Sequence, residues 1–263
     1  MRLLHYVLTD PQNLPPFPPE WGDPPQIPEG CGNAIASALY SDVGPFYSAC
    51  GPSTSPVPTQ QAWNITDPFG TIWDVPSDIP EDVDEQIEWV DTVALLDSLC
   101  REDEAVIHKE LANEAKDNKV LFSFLPARGV AAFQHHRSGF YAPAAANGVK
   151  LGVRLTPRDT NNAQSLQFAT WVIDPDHSPP TNLVITRLRA DATSFPKLLR
   201  AIFKFASDNR LKKVEVWNLD PQLADSAVKL GGVTELRSLH LPALAWYGPG
   251  EVEWRHNEKF CWC

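Results

Sequence analysis

The sequence lacks the features that mark membrane-spanning, secreted and duplex-binding proteins. The 263-residue chain has no apolar run of the about 18 residues that a membrane-spanning helix needs. The apolar stretch at its start is too short and too polar for a signal peptide. Basic residues are few, 22 against 33 acidic ones, and they form no stripe that would bind a duplex. We therefore expect neither a membrane nor a nucleic acid as partner.

Cysteine is also scarce, with five residues at irregular spacing and an odd count. A disulfide scaffold needs paired cysteines and an oxidising compartment, so this pattern favours reduced thiols inside a cell. We expect a cytoplasmic protein.

Two small clusters invite a chemical interpretation. Cys261 and Cys263, with His256 nearby, hint at zinc, but a Cys-x-Cys pair alone matches tetrahedral ligand spacing poorly. His135 and His136 are a candidate acid–base pair, but adjacent helical residues point about 100° apart. We therefore expect no metal site, and packing or surface roles for both clusters.

What the sequence does contain is enough apolar material, 43% of its residues, for a packed core. Its net charge is −11. An acidic surface attracts cationic substrates such as amines, and it equally serves solubility. Both interpretations stay open.

The first part of the chain is interrupted by proline. Residues 1–8 carry apolar side chains at helical spacing. Residues 11–30 hold eight prolines, which exclude a helix or a central strand there and favour a polyproline-like segment. A strand at 35–41 and a short helix at 44–50 follow.

The rest of the chain has clearer periodicity. It predicts a helix at 91–115, strands at 150–155, 168–174 and 182–190, a helix at 195–209, a strand at 213–219, a helix at 221–230, and closing strands at 236–246 and 252–262. This order predicts an α/β (α+β) protein with a mixed central sheet and helices on both faces. Because the first part repeats the end of the same order, we expect two related domains, at 1–59 and 60–263.

One segment carries a family resemblance. Residues 39–51 run Leu-Tyr-Ser-Asp-Val-Gly-Pro-Phe-Tyr-Ser-Ala-Cys-Gly, which resembles the strand-to-helix segment of the GNAT acetyltransferases. More narrowly, the segment is similar to the fungal lysine N6-acetyltransferase family, whose members run Tyr-Ser-Asp-Ile-Gly into Phe-Tyr before a Gly. The stretches 122–126, 135–136, 140–141 and 259–263 also resemble that family. The resemblance covers nearly the whole chain and implies a GNAT-like sheet, acetyl-CoA as co-substrate and lysine as the amine substrate in lysine catabolism.

The same resemblance implies roles for four residues. Tyr47 would be catalytic, because a phenol beside the thioester sulfur can protonate the departing CoA thiolate. Ser41 and Phe46 would bind acetyl-CoA together with Tyr47, and Asp42 would hold the substrate ammonium group. Two simpler interpretations remain: Tyr47 packs its helix against the sheet, and Asp42 caps the turn at 44–45.

The sequence departs from the family where the donor's pyrophosphate should bind. GNAT proteins hold it on backbone N–H groups in an Arg/Gln-x-x-Gly-x-Gly/Ala loop at a helix N-terminus. No such loop precedes residues 1–8, the Gly-x-Gly at 30–32 resembles a turn, and residues 190–194 contain no glycine. We therefore expect the first domain to lack its N-terminal part. A lysine acetyltransferase and a non-catalytic binding or structural module are the two main hypotheses; an unrelated binding domain would require the motif matches to be chance.

Overall fold

The computed structural model describes residues 1–54, 59–80, 86–115, 119–141, 150–156, 166–173 and 181–262, with the side chains of 138–141 left out. Two residues of predicted features, Asp174 and Cys263, lie outside these ranges. So do the side chains of Phe140 and Tyr141, which belong to the family resemblance.

The described helices range from one turn to six. They are α1 (Arg2–Leu8), α2 (Val93–Glu114), α3 (Val130–Tyr141), α4 (Phe195–Asp208) and α5 (Ala224–Lys229), with single 3-10 segments at Pro11–Asn13, Pro19–Trp21, Gly44–Ala49, Pro221–Leu223 and Lys259–Cys261. Among the described residues, no helix combines the length and apolar character needed to cross a bilayer.

The described strands are mostly four to eight residues long. They are β1 (Ala36–Ser41), β2 (Asn64–Ile65), β3 (Phe69–Asp74), β4 (Ile87–Val90), β5 (Lys119–Phe122), β6 (Gly152–Leu155), β7 (Phe168–Ile173), β8 (Asn182–Arg189), β9 (Lys213–Trp217), β10 (Val233–Leu236), β11 (Leu241–Trp246) and β12 (Glu251–Trp254). The mixed strands and helices confirm the predicted α/β class.

Four local predictions need correction. The closing strand predicted at 236–246 is interrupted, because β10 ends at Leu236 and β11 begins only at Leu241. The closing strand predicted at 252–262 ends at Trp254, and Lys259–Cys261 forms a 3-10 turn instead. The predicted helix at 44–50 is a 3-10 segment with a kink at Pro45. The proline-rich stretch 11–30 contains two short 3-10 turns rather than a continuous polyproline helix.

The chain divides into two compact units. The first unit comprises Met1–Pro68, Ala115–Ser123 and Arg237–Arg255, and the second comprises Phe69–Glu114, Phe124–Leu236 and His256–Cys263. The two units are defined by contacts between residues and are discontinuous in sequence, whereas the predicted domains at 1–59 and 60–263 are continuous ranges of the chain. The domain assignment, and the idea that the first domain is incomplete, stay predictions.

The first unit is built on an antiparallel sheet. β11 lies in the middle, between β1 and β2, and β1 pairs with it from Ala36↔Trp246 to Ser41↔Leu241. Among the described strands, β1 therefore has one unpaired edge. The core beneath the sheet is largely aromatic, with Tyr6, Trp63 and Tyr247 buried in it. β5 and β12 form a separate parallel pair.

The second unit contains a seven-stranded sheet in the order β10-β3-β9-β8-β7-β6-β4. β8 and β9 run parallel at its centre, and the other neighbours are antiparallel. α4 packs on the core of this sheet through its apolar stripe, because the side chains predicted from its spacing are all buried: Leu198, Leu199, Ile202, Phe203 and Phe205. Each such side chain contributes about 1.5–3 kcal/mol when fully buried.

Candidate functional site

Ser41 ends β1 and starts the turn that carries the other predicted site residues. Its side chain is 1% exposed. Its hydroxyl donates to the carbonyl oxygen of Gly44 at 2.8 Å and accepts the N–H of Val43 at 3.2 Å. A serine used in this way fixes a tight turn. The structure therefore gives Ser41 a clear role in shaping the segment from 42 to 46.

Asp42 lies on the surface, with 57% of its side chain exposed. Its Oδ1 accepts the backbone N–H of His240 at 2.7 Å and lies 2.8 Å from His240 Nδ1. Asp42 accepts no hydrogen bond from the N–H of Gly44, Pro45 has no N–H to donate, and the 3-10 segment has no side-chain cap. The capping role that was the simpler interpretation of Asp42 is therefore wrong. Both contacts fall on one oxygen, Oδ1.

Phe46 and Tyr47 follow on the 3-10 segment. Phe46 is 55% exposed. The Tyr47 ring is partly buried and meets Phe46 at 5.3 Å and Trp63 at 6.3 Å between ring centroids, both edge-to-face. These contacts hold the ring against the core, as the packing interpretation of Tyr47 required. Among the described residues, none forms a hydrogen bond with its hydroxyl.

Behind Tyr47 lies a buried polar pair that sequence patterns did not reveal. His5 Nδ1 is 2.7 Å from the Tyr247 hydroxyl, and His5 Nε2 is 2.8 Å from the Cys50 carbonyl oxygen. The carbonyl can only accept, so Nε2 carries the proton and Tyr247 donates to Nδ1. Burial lowers the pKa of His5 and raises the pKa of Tyr247. Both groups therefore stay neutral in the core, and the pair orients the Trp63 ring, whose centroid is 4.1 Å from that of His5.

The second unit holds a buried charge cluster made of Asp103, Arg187, Arg189 and Glu258. Asp103 is fully buried and accepts Arg187 Nε at 2.7 Å, Arg187 Nη2 at 3.1 Å and Arg189 Nε at 2.8 Å. Arg187 also contacts Glu258. Burial would raise the pKa of Asp103, but the two guanidinium groups outweigh it and lower that pKa. Burial raises the pKa of Glu258 even beside Arg187.

A signal for this cluster was present in α2. The buried face of that helix is formed by Leu96, Leu99, Cys100 and Ile107, and Asp103 lies on the same face. The spacing also predicts Val93 on this face, but Val93 is 60% exposed. A carboxylate in an apolar stripe implies a buried cation. The partner itself was not predictable, because Arg187 lies 84 positions later in the chain.

A groove of the second unit, with a volume of about 650 Å³, lies between α2 and residues 127–129. The charged side chains of α2 pair within the helix there, with Arg101 2.6 Å from Asp97 and His108 3.8 Å from Glu104. No group of three or more His, Cys, Asp or Glu side chains among the described residues is arranged to hold a metal ion.

Comparison with known protein families gives a match over most of the chain. The family model described as the LYC1 GNAT-like C-terminal domain matches residues 73–263. No curated protein sequence matches the chain. The matched range contains most of the second unit and its central parallel strands, and it begins after the four predicted site residues.

Proposed function

Because the chain belongs to the family of the LYC1 GNAT-like C-terminal domain, we propose that it transfers an acetyl group from acetyl-CoA to the side-chain amine of lysine. A GNAT-like domain suggests acetyltransferase activity in general. The donor, the lysine acceptor, a role in lysine breakdown and a cytoplasmic location are parts of the proposal.

The observation that carries this proposal is the unpaired edge of β1 leading directly into the Tyr47 turn. An extended chain with amide groups, such as the pantetheine arm of acetyl-CoA, can pair with an unpaired strand edge. Such a chain laid along β1 would bring its end towards the 3-10 segment at Gly44–Ala49. Phe46 is exposed there to contact the arm. Ser41 is buried and already bonded, so its part is to hold the turn in shape.

The proposed reaction is a direct transfer of the acetyl group from acetyl-CoA to the amine of lysine. The neutral amine attacks the thioester carbonyl carbon, the new C–N bond forms, and the C–S bond breaks. The leaving thiolate takes the phenol proton of Tyr47, and the proton of the amine leaves to water. Tyr47 then regains its proton from solvent. Oδ2 of Asp42 would attract the ammonium group of lysine before it loses that proton.

The test is CoA release from acetyl-CoA by the full chain, with and without lysine. General acid catalysis contributes about 10²–10⁴-fold, so Tyr47→Phe should slow lysine-dependent release by at least about 100-fold. Tyr6→Phe, the same atomic change on α1 and away from β1 and the Tyr47 turn, is the control and should keep the native rate. Equal rates in native protein and Tyr47→Phe would remove the role given to Tyr47.

A non-catalytic module is the second candidate. It is favoured by the family match, which covers 73–263 and none of the predicted site residues. Calorimetric titration with CoA separates the two candidates. Micromolar binding that weakens in Phe46→Ala supports the enzyme, whereas the absence of binding supports the module.

A further inference from the structure

The two parallel strands at the centre of the second unit separate before β8 ends. They are in register from Asn182↔Lys213 to Ile185↔Val216. β9 then stops at Trp217, and Asn218 has a φ of 51°. The N–H of Asn218 bonds to the carbonyl oxygen of Phe69 at 3.0 Å, on the side of β3. β8 continues to Arg189, so its last residues have no β9 residue beside them. We call this region the strand opening.

The C-terminal segment, residues 256–262, is attached to both sides of the strand opening. On the β8 side, the backbone N–H of Leu188 donates to Glu258 Oε2 at 2.8 Å. On the β9 side, Asn218 Nδ2 donates to the carbonyl oxygen of Asn257. Leu188 is opposite Ala169 of β7, and its N–H is used by Glu258 rather than by that strand. The segment therefore takes the position that a neighbouring strand would otherwise have.

The C-terminal segment is deeply buried. Five successive residues, from Asn257 to Cys261, are each no more than 7% exposed. Two of them are charged. Glu258 contacts Arg187, and Lys259 Nζ lies 4.3 Å from the Trp217 ring centroid and 3.8 Å from that of Trp262.

Cation–π contacts also hold Trp262, the last described residue of the segment, in place. The guanidinium of Arg137 lies 4.1 Å from the Trp262 ring centroid. Gln134 Nε2 donates a hydrogen bond to the Trp262 carbonyl oxygen. Cation–π contacts are stronger when they are desolvated, as those of the buried Lys259 are, than at exposed sites. The described contacts of the segment are therefore side-chain hydrogen bonds, ion pairs and ring contacts, as in a bound ligand, rather than the backbone hydrogen bonds of a β-ladder.

We propose that the C-terminal segment is a built-in ligand of the strand opening, which it fills and closes to extended, amide-bearing molecules. The last residues of β8 offer a backbone donor on their free side, as a sheet edge does when it binds a peptide-like chain. Glu258 occupies that donor, and Phe260, 1% exposed, fills apolar space nearby. The segment is therefore an autoinhibitory contact of the second unit. It is independent of the role proposed for Tyr47, which lies in the first unit.

Hydrogen exchange of the full chain, followed by mass spectrometry, tests this. The variants are Glu258→Gln and Trp262→Ala, and Glu251→Gln, a change of an exposed residue of β12, is the control. In native protein the amides of 186–189 should exchange slowly. Both variants should speed exchange there by about tenfold or more while α4 stays protected, as expected for local rather than global opening. The control should match native protein.

Free CoA, whose pantetheine arm carries two amides, is the probe for closure. Saturating CoA should not slow the exchange of residues 186–189 further in native protein, whereas it should slow their exchange in Trp262→Ala. Three results would overturn the proposal. They are fast exchange at 186–189 in native protein, equal acceleration of α4 in the variants, and CoA protection that is the same in native protein and Trp262→Ala.

Discussion

Removing the carboxylate of Asp103 should unfold the second unit more readily than any other single charge change in α2. The side chain is 0% exposed and accepts three hydrogen bonds from two guanidinium groups. Asp103→Ala leaves Arg187, itself 3% exposed, with Glu258 as its only carboxylate partner in the cluster. A buried charge that loses its partner costs about 3–5 kcal/mol.

The magnitude can be checked from the bonds themselves. Three hydrogen bonds to charged groups, at about 1.5–3 kcal/mol each, sum to about 5–9 kcal/mol. Water entering the vacated space restores part of this, so we expect a loss of about 4 kcal/mol. Asp103→Asn should cost nearly as much, because its amide N–H₂ would face a guanidinium group.

The assay is urea unfolding at pH 7, monitored by tryptophan fluorescence and hydrogen exchange in α4. Asp97→Ala is the matched control on the same helix, because its carboxylate is 45% exposed and pairs with Arg101 at 2.6 Å. Exposed pairs of this kind contribute about 0.3–0.5 kcal/mol. A loss below about 1 kcal/mol for Asp103→Ala, or one equal to that of Asp97→Ala, would refute the reasoning.

Three further predictions concern other buried positions. Burial, aided by the charge of His136, lowers the pKa of His135 from 6.5 to about 4. Between these pH values only the unfolded chain takes up that proton, so the free energy of unfolding should fall by up to about 3 kcal/mol as the pH drops through this window. A His135→Asn chain whose free energy of unfolding, measured with urea, keeps the full dependence on pH would contradict this. Tyr247→Phe removes the donor to His5 and should cost about 1–3 kcal/mol in thermal unfolding; an unchanged midpoint would show that the pair is dispensable. In Gly232→Ala the new Cβ would lie 2.6 Å from Trp73 Nε1, so overpacking should cost about 1–3 kcal/mol and shift Trp73 emission, and a neutral result would show that the ring can move.

The elements that were predicted best are those whose signal is local. α4 buries its predicted stripe, including Leu198 and Ile202, because one amphipathic helix lies on one sheet. β7 and β8 are rich in β-branched and aromatic residues, which a central strand buries on both faces. Their existence and approximate bounds followed from composition alone.

The elements that were missed depend on distant partners. Phe260 and Trp262 follow an alternating pattern that is typical of a strand. Glu258, which lies after the end of β12, is nevertheless buried in an ion pair with Arg187, 71 positions away. The strand β11 pairs with β1 across about 200 residues. No local pattern reports such pairing.

The candidate site was predictable only in part for the same reason. The segment 39–51 indicated where Ser41 and Tyr47 would lie, at a strand end and on a short helical turn. The surroundings of Tyr47 were not indicated, because His5 and Tyr247 come from opposite ends of the chain. The partner of Asp42 also comes from far away, since His240 lies 198 positions later.

The central claim is that this chain acetylates an amine with acetyl-CoA as donor. The most direct measurement is mass spectrometry of lysine incubated with the full chain and acetyl-CoA labelled with ¹³C in the acetyl group. The account predicts N6-acetyl-lysine carrying the label, formed at least about 100-fold more slowly by Tyr47→Phe and at the native rate by Tyr6→Phe. Label recovered only as acetate or unreacted acetyl-CoA, with no labelled lysine above the protein-free control, would contradict it.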